Sequence, residues 1–160
     1  METRAPGQSK RQRSYGVYKK LYKLTIGGAV AFWATTIATS LLPIAAEYRA
    51  AFSISYIQDV LFQSLLTGLI IGCGVSNFLL RLFDKIPTKD PILKSEILSF
   101  VALVIAIIVI QGAVSFLEPS GNALRYFLIG AMLNVPRFLI LGIVIGYLYK
   151  RLDSTEVGVL

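Results

Sequence analysis

The amino-acid sequence predicts an all-α integral membrane protein whose four transmembrane helices form an up-down bundle. Composition gives the first indication, because 55% of the 160 residues are hydrophobic and only 16% are charged, against about 25% charged residues in soluble domains. Length gives the second, since a helix needs about 20 largely apolar residues to cross a hydrocarbon core of about 30 Å. Four stretches meet this requirement, at residues 24–46, 54–83, 91–117 and 122–149.

The positions of the basic residues predict how the bundle is oriented. Seven Lys and Arg residues precede the first span, four lie around the connection between spans two and three, and two follow span four. The other two connections contain only Arg49 and Arg125. Since Lys and Arg accumulate in the cytoplasmic loops of membrane proteins, we expect a multi-pass protein of the cell membrane with both termini in the cytoplasm. This distribution accounts for the net charge of +7, so no nucleic-acid partner is expected.

The residues outside the spans are few, so a single membrane domain is expected at residues 15–152. Residues 1–14 are polar, basic and rich in helix breakers, which predicts a disordered cytoplasmic leader, and residues 153–160 form a short cytoplasmic tail. Lys19, Lys20 and Lys23 lie beside three tyrosines just before the first span. Such a pattern suits contact with lipid head groups of the bilayer, and a docking site for RNA or a partner protein is the less favoured alternative.

Span two has two distinct faces if it is helical. Small residues repeat every four positions along one face, and we call this set the small-residue ridge: Ser64, Gly68, Gly72 and Ser76. At about 100° per residue, a second set falls within a sector of roughly 80°, and we call it the polar sector: Asp59, Gln63, Thr67, Gly74, Asn77 and Arg81. Small residues let helices approach closely in lipid, so span two is expected to have neighbours on two sides. Gly142 and Gly146 predict a similar close contact for span four.

Local signals predict how the spans begin and end. Pro43 removes a backbone donor near the end of span one and is expected to mark the helix exit, followed by a short turn at residues 47–49. Asp90 and Pro91 suit the N-cap and first position of the third helix, and Asn122 suits the cap of the fourth. Pro136 is expected to kink span four.

Buried polar residues of spans two and four predict a hydrogen-bonded cluster. Span four is expected to run from outside to inside, and side chains lean toward the N-terminus of their helix, so Arg137 is expected at the depth of Asp59 and Gln63. A charge inside a membrane is costly unless it is paired. A cluster of Arg137, Asp59, Gln63 and Asn134 satisfies all four groups, and Gln111 could join it from span three.

The cluster permits three functional interpretations. The favoured one is a structural polar contact that fixes how the helices pack, within the chain or against another subunit. A pathway for an ion or anionic solute is the second, since intramembrane charges line such routes, and lipid recognition is the third. Spans one and three offer little polar lining beyond Thr35, Thr39 and Gln111, which favours the structural role.

Enzymatic function is not expected from this sequence. The sequence contains no histidine and a single cysteine, Cys73. We find no phosphate-binding loop, no paired catalytic carboxylates and no metal-ligand cluster. No catalytic residue, metal or cofactor is therefore assigned. The leading hypothesis is a non-catalytic accessory or assembly subunit, or a bundle that associates with itself. The alternative is a small channel or carrier for an ion or anionic solute that uses Arg137 and Asp59.

The predicted orientation can be tested with a fusion after Leu160. Because both termini are expected in the cytoplasm, a reporter that is active only in that compartment should be active there, and a reporter that is active only outside the cytoplasm should stay inactive. The opposite pattern would overturn the orientation.

Overall fold

The computed structural model describes residues 6–51, 57–111 and 122–157, and these residues are almost entirely helical. The helices are α1 (Pro6–Ser40), α2 (Pro43–Ala51), α3 (Ile57–Leu82), α4 (Pro91–Ala106) and α5 (Ala123–Val157). A short 3₁₀ turn follows α3 at Phe83–Lys85, and a π-helical turn extends α4 over Ile107–Gln111. The described part of the chain contains four segments that are long and apolar enough to cross a membrane: Gly16–Ser40, Ile57–Lys85, Pro91–Val109 and Leu124–Ser154.

The four long helices form a bundle in which consecutive members run antiparallel. Helix α1 packs extensively against both α3 and α5, and α5 packs extensively against α4. The contact between α3 and α4 is much smaller, and α3 and α5 lie diagonally opposite each other with little contact. The common core is formed by buried apolar residues, among them Leu24, Phe32, Leu79, Leu141 and Ile145. We call the end of the bundle that carries α2 the α2 end.

The small-residue ridge lies on the buried face of α3. All four of its residues are buried, and a Cβ atom added to Gly68 would lie 3.2 Å from the carbonyl oxygen of Ala29 in α1. A Cβ added to Gly72 would lie 3.2 Å from the carbonyl oxygen of Thr25. The backbones of α1 and α3 therefore approach each other so closely that a larger residue at either glycine would force them apart.

Helices α4 and α5 also meet through small residues. A Cβ atom on Gly142 would lie 2.8 Å from Oγ of Ser99, and a Cβ on Gly146 would lie 2.5 Å from Cα of Ile92. Ser95 and Ser99 are buried at this interface of α4. The two glycines expected to pack closely in span four thus both lie against α4, Gly146 against its backbone and Gly142 against two of its side chains.

The first predicted span needs correction at both ends. Helix α1 begins at Pro6, so the expected disordered leader is helical from that residue, and residues 1–5 lie outside the described part. Extending an existing helix is far cheaper than starting one, and residues 8–13 contain good helix formers. Helix α1 ends at Ser40, and Pro43 begins α2 as its first residue, a position where its missing N–H costs nothing. Residues 47–49 therefore lie in a helix.

The remaining boundaries agree in part with the sequence signals. The Asp90 side chain accepts a hydrogen bond from the Ile92 amide at 3.0 Å and Pro91 follows it, which confirms the predicted cap. Helix α5 begins directly after Asn122 and continues through Pro136. Its last residue is Val157, so the tail expected from residue 153 is helical up to that point. Residues 112–121, which include the predicted end of span three, lie outside the described residues.

The contact between α4 and α5 can be tested by adding one methyl group. Gly146→Ala should lower the free energy of unfolding by about 1–3 kcal/mol, because its Cβ overlaps the α4 backbone and overpacking has costs of this size. Gly16→Ala is the matched control, since a Cβ there meets nothing within 4 Å and alanine favours helix. The two variants should be compared by denaturant unfolding in mild detergent. Equal stability of both variants would contradict the described packing.

Candidate functional site

A polar cluster centred on Arg137 lies at the α2 end of the bundle. Its guanidinium donates from Nε and Nη2 to Oγ1 of Thr39, at 3.3 and 3.2 Å, and from Nη1 to Oδ1 of Asn134 at 3.2 Å. The Thr39 hydroxyl in turn donates to the carbonyl oxygen of Thr36 at 3.2 Å. Asn134 and Arg137 are three residues apart and so share one face of α5. Arg137 therefore ties α5 to the last turn of α1.

Helix α2 covers this cluster and is itself fixed at several points. Arg49 donates from Nη1 to the carbonyl oxygen of Ser40 at 3.1 Å, which satisfies a free carbonyl at the end of α1 with a cation, as helix C-termini favour. Ala45 packs with two residues of α5, Ile129 and Leu133. The arginine and the apolar contact together hold α2 against both α1 and α5.

Two further contacts join α2 to the beginning of α5. The rings of Tyr48 and Tyr126 meet edge to face, with centroids 6.5 Å apart. Glu47 and Arg125 form an exposed ion pair at 2.5 Å. Exposed pairs of this kind contribute little stability, so the apolar and aromatic contacts carry most of the attachment.

A small cavity of about 100 Å³ lies beneath α2. Its lining comes from α1, α2, α3 and α5: Ser40, Ala45, Tyr48, Arg49, Val60, Gly130, Leu133, Asn134 and Arg137. Two guanidinium side chains thus border one partly open space. Of the described residues that line the cavity, none is a carboxylate.

The electrostatic balance of the cavity is positive. Neither Arg49 nor Arg137 forms an ion pair within the described residues, and Glu47 of α2 pairs with Arg125 on the surface. Burial raises the pKa of the Tyr48 phenol above its ordinary value, and the nearby positive charge of Arg137 opposes that shift. The phenol is therefore neutral at physiological pH and supplies no negative charge to the cavity.

The structure brings together only part of the predicted cluster. Asn134 and Arg137 are hydrogen-bonded, whereas Asp59 and Gln63 are exposed on α3 and form no hydrogen bond or ion pair with Arg137. Asp59 lies in the first turn of α3, where a carboxylate is favoured by the helix dipole. Gln111 belongs to the π-helical turn after α4, and its side chain lies outside the described part.

The cluster differs from the prediction because of where α3 sits and how it is rotated. Helices α3 and α5 are diagonal neighbours, and the small-residue ridge turns the polar sector away from the bundle interior. Thr39, rather than Asp59 or Gln63, is hydrogen-bonded to Arg137, and Arg49 lines the same cavity. In the sequence, Thr39 is one of the few polar residues of span one and Arg49 is a basic residue of a connection, but no pattern links either residue to Arg137.

At the opposite end of the bundle, aromatic rings and lysines form a second group of contacts. Lys94 is buried, donates to the carbonyl oxygen of Phe83, and lies 3.6 Å from the centroid of that ring. The Phe83 ring stacks on Tyr149 with centroids 4.7 Å apart. Lys20 lies 4.8 Å from the Tyr149 centroid and 2.9 Å from a carboxylate oxygen of Asp153.

Of the three lysines assigned to lipid contact, Lys19 and Lys23 are exposed. Lys20 instead joins α1 to α5 through its ion pair with Asp153. Two of the three side chains therefore remain open to a surface outside the bundle.

Comparison of the whole chain with protein-family models, with curated proteins and with solved structures finds no match. The class of protein therefore follows from the fold. Within its described residues, the chain is all-helical and has four helices that are long and apolar enough to cross a membrane.

Double-mutant cycles can test which residue is coupled to Arg137. Thr39→Val and Arg137→Gln should be non-additive by more than about 0.5 kcal/mol in unfolding free energy, because the two side chains share a hydrogen bond. Asp59→Asn and Arg137→Gln serve as the control and should be additive within about 0.5 kcal/mol. Strong coupling to Asp59 with none to Thr39 would contradict the observed cluster.

Proposed function

We propose that the protein is a non-catalytic assembly component of the cell membrane that associates with a second copy of itself through α3. Its four helices cross the bilayer, both termini lie in the cytoplasm, and the α2 end lies on the outer side. The orientation rests on the distribution of Lys and Arg. Association rests on one observation: two amides of the polar sector of α3, Gln63 and Asn77, have no hydrogen-bond partner within the described chain.

The two faces of α3 support this proposal together. The small-residue ridge is buried, so one of the two neighbours that the sequence predicts for this helix is α1. The polar sector faces away from α1, with Gln63 exposed and Asn77 half-buried. Neither amide has a hydrogen-bond partner within the described residues. A second helix against this face would supply the missing neighbour.

In a membrane, hydrogen-bonding these two amides to a neighbouring helix is energetically better than leaving them exposed to hydrocarbon. A polar group without a hydrogen bond is costly in hydrocarbon, and amides that pair between transmembrane helices contribute about 0.6–2 kcal/mol each. Gln63 and Asn77 are about 21 Å apart along the helix at 1.5 Å per residue. A partner that reaches both must therefore run along α3 for much of its length.

A second copy of this chain fits that description. Each amide is both a donor and an acceptor, so Gln63 can pair with Gln63 and Asn77 with Asn77 across a two-fold axis along the membrane normal. Beside the polar sector, α3 and α4 border an open, largely apolar groove of about 650 Å³. Thr67 and Gly74 of the polar sector line its edge, and their small size permits close approach of another helix.

The alternative of a carrier or channel that uses Asp59 together with Arg137 has less support. Asp59 is exposed at the start of α3, and Arg137 is hydrogen-bonded to α1 and α5. The positions of the two charges therefore give less support to a shared route than to association through α3.

Cysteine cross-linking in native membranes tests the proposal. With Cys73 replaced by alanine, Ile70→Cys places a thiol at the centre of the outward face of α3, where Ile70 is 74% exposed. The covalent dimer should form at least several-fold faster than for Ile140→Cys, a control on the diagonal helix α5 that is 41% exposed. Adding Gln63→Leu and Asn77→Leu should slow the cross-link, because the amide pairs are lost.

Equal rates for the two cysteines would contradict association through α3. A product of Ile70→Cys that contains a different protein would contradict self-association and point to a heteromeric assembly through the same face.

A further inference from the structure

The cavity beneath α2 holds more positive charge than the described chain neutralises. Arg137 and Arg49 both border it, and the hydrogen-bond partners of both are neutral: a hydroxyl, an amide and a backbone carbonyl. Bringing two cations into one partly buried space is costly unless a negative charge accompanies them. Tyr48 is neutral there, so none of the described residues that line the cavity supplies the balancing negative charge.

The donors are already held in place for such an anion. A guanidinium has five N–H donors in a rigid fork. Arg137 uses three of its nitrogens on Thr39 and Asn134, and Arg49 uses one on Ser40. These contacts fix both side chains, and each guanidinium group still has N–H donors that are not used. Guanidinium groups bind the paired oxygens of phosphate and carboxylate well. Little side-chain entropy would be lost on binding.

The size of the cavity limits what can enter it. A volume of about 100 Å³ corresponds to roughly three water molecules at about 30 Å³ each. A single tetrahedral oxyanion group fits this space, and because the cavity is partly open, the remainder of a larger molecule would lie outside it. A larger molecule could therefore offer only one phosphate group to the two arginines.

We propose that the cavity beneath α2 binds one phosphate-sized oxyanion group through Arg49 and Arg137. The group is either free inorganic phosphate or the phosphate of an anionic lipid, which the α2 end would meet near one surface of the membrane. The two arginines lie on α2 and α5, and the one α3 residue among the described lining residues is Val60, which is outside the polar sector. The site is therefore separate from the proposed association through α3.

Thermal unfolding of the purified full-length protein tests the site. Trp33 is the single tryptophan and donates from Nε1 to the carbonyl oxygen of Leu61 at 3.1 Å, so its fluorescence reports separation of α1 and α3. The protein should be delipidated in an uncharged detergent without phosphate. One arm adds sodium phosphate against sodium chloride of equal ionic strength. The other adds dihexanoyl phosphatidylglycerol against dihexanoylglycerol, which lacks the phosphate.

At about ten times the dissociation constant, the unfolding midpoint should rise by about 3–5 °C. Arg49→Gln should weaken binding at least tenfold, and Arg137→Gln should do the same if it folds. Arg125→Gln is the matched control, because Arg125 lies at the same end of the bundle but pairs with Glu47 on the surface, and it should respond as the wild type does.

A response to phosphate alone identifies a free anion as the ligand, and a response to the phospholipid alone identifies the lipid; either supports the site. The absence of any response in both arms would overturn the proposal. An equal response of wild type, Arg49→Gln and Arg125→Gln would overturn it as well, because the anion would then bind elsewhere.

Discussion

The close approach of α1 to two other helices is the constraint on which the rest of the structure depends. On one side, α1 meets Gly68 and Gly72 of α3. On the other, its own Gly28 admits Ile145 of α5, where an added Cβ would lie 2.8 Å from that side chain. Small residues on both sides make α1 the shared neighbour of α3 and α5. These contacts set the rotation of α3, and they bring Thr39 to Arg137.

Once α1 has this position, the Arg137 cluster follows from short-range contacts. Helix α1 ends at Ser40, and its last turn offers a threonine hydroxyl and free carbonyls. Arg137 donates a hydrogen bond to the hydroxyl of Thr39, and Arg49 donates one to the carbonyl oxygen of Ser40. Helix α2 must then fold back over α5, which creates the cavity between the two arginines. The cavity is thus a product of how α1 ends, and Pro43 starts the helix that closes it.

Features governed by local chemistry could be predicted from the sequence, and features governed by helix neighbours could not. The four apolar segments and the Asp90 cap depend only on nearby residues. The partner of Arg137 depends on which helices are adjacent, and the polarity of Asp59 and Gln63 carries no information about adjacency. Pro43 was ambiguous for a related reason: a proline suits the position after one helix and the first position of the next, and only the packing of α2 on α5 distinguishes the two.

The two polar features that remain open to the outside differ in the kind of partner they require. Gln63 and Asn77 are neutral amides on a helix surface, and another amide satisfies both their donors and their acceptors. Arg49 and Arg137 have donors only and carry charge, so a neutral helix surface cannot balance them. An apolar chain of this length tolerates few polar groups outside its ends. The amides therefore suit contact with another protein chain, and the guanidinium groups suit a small anion.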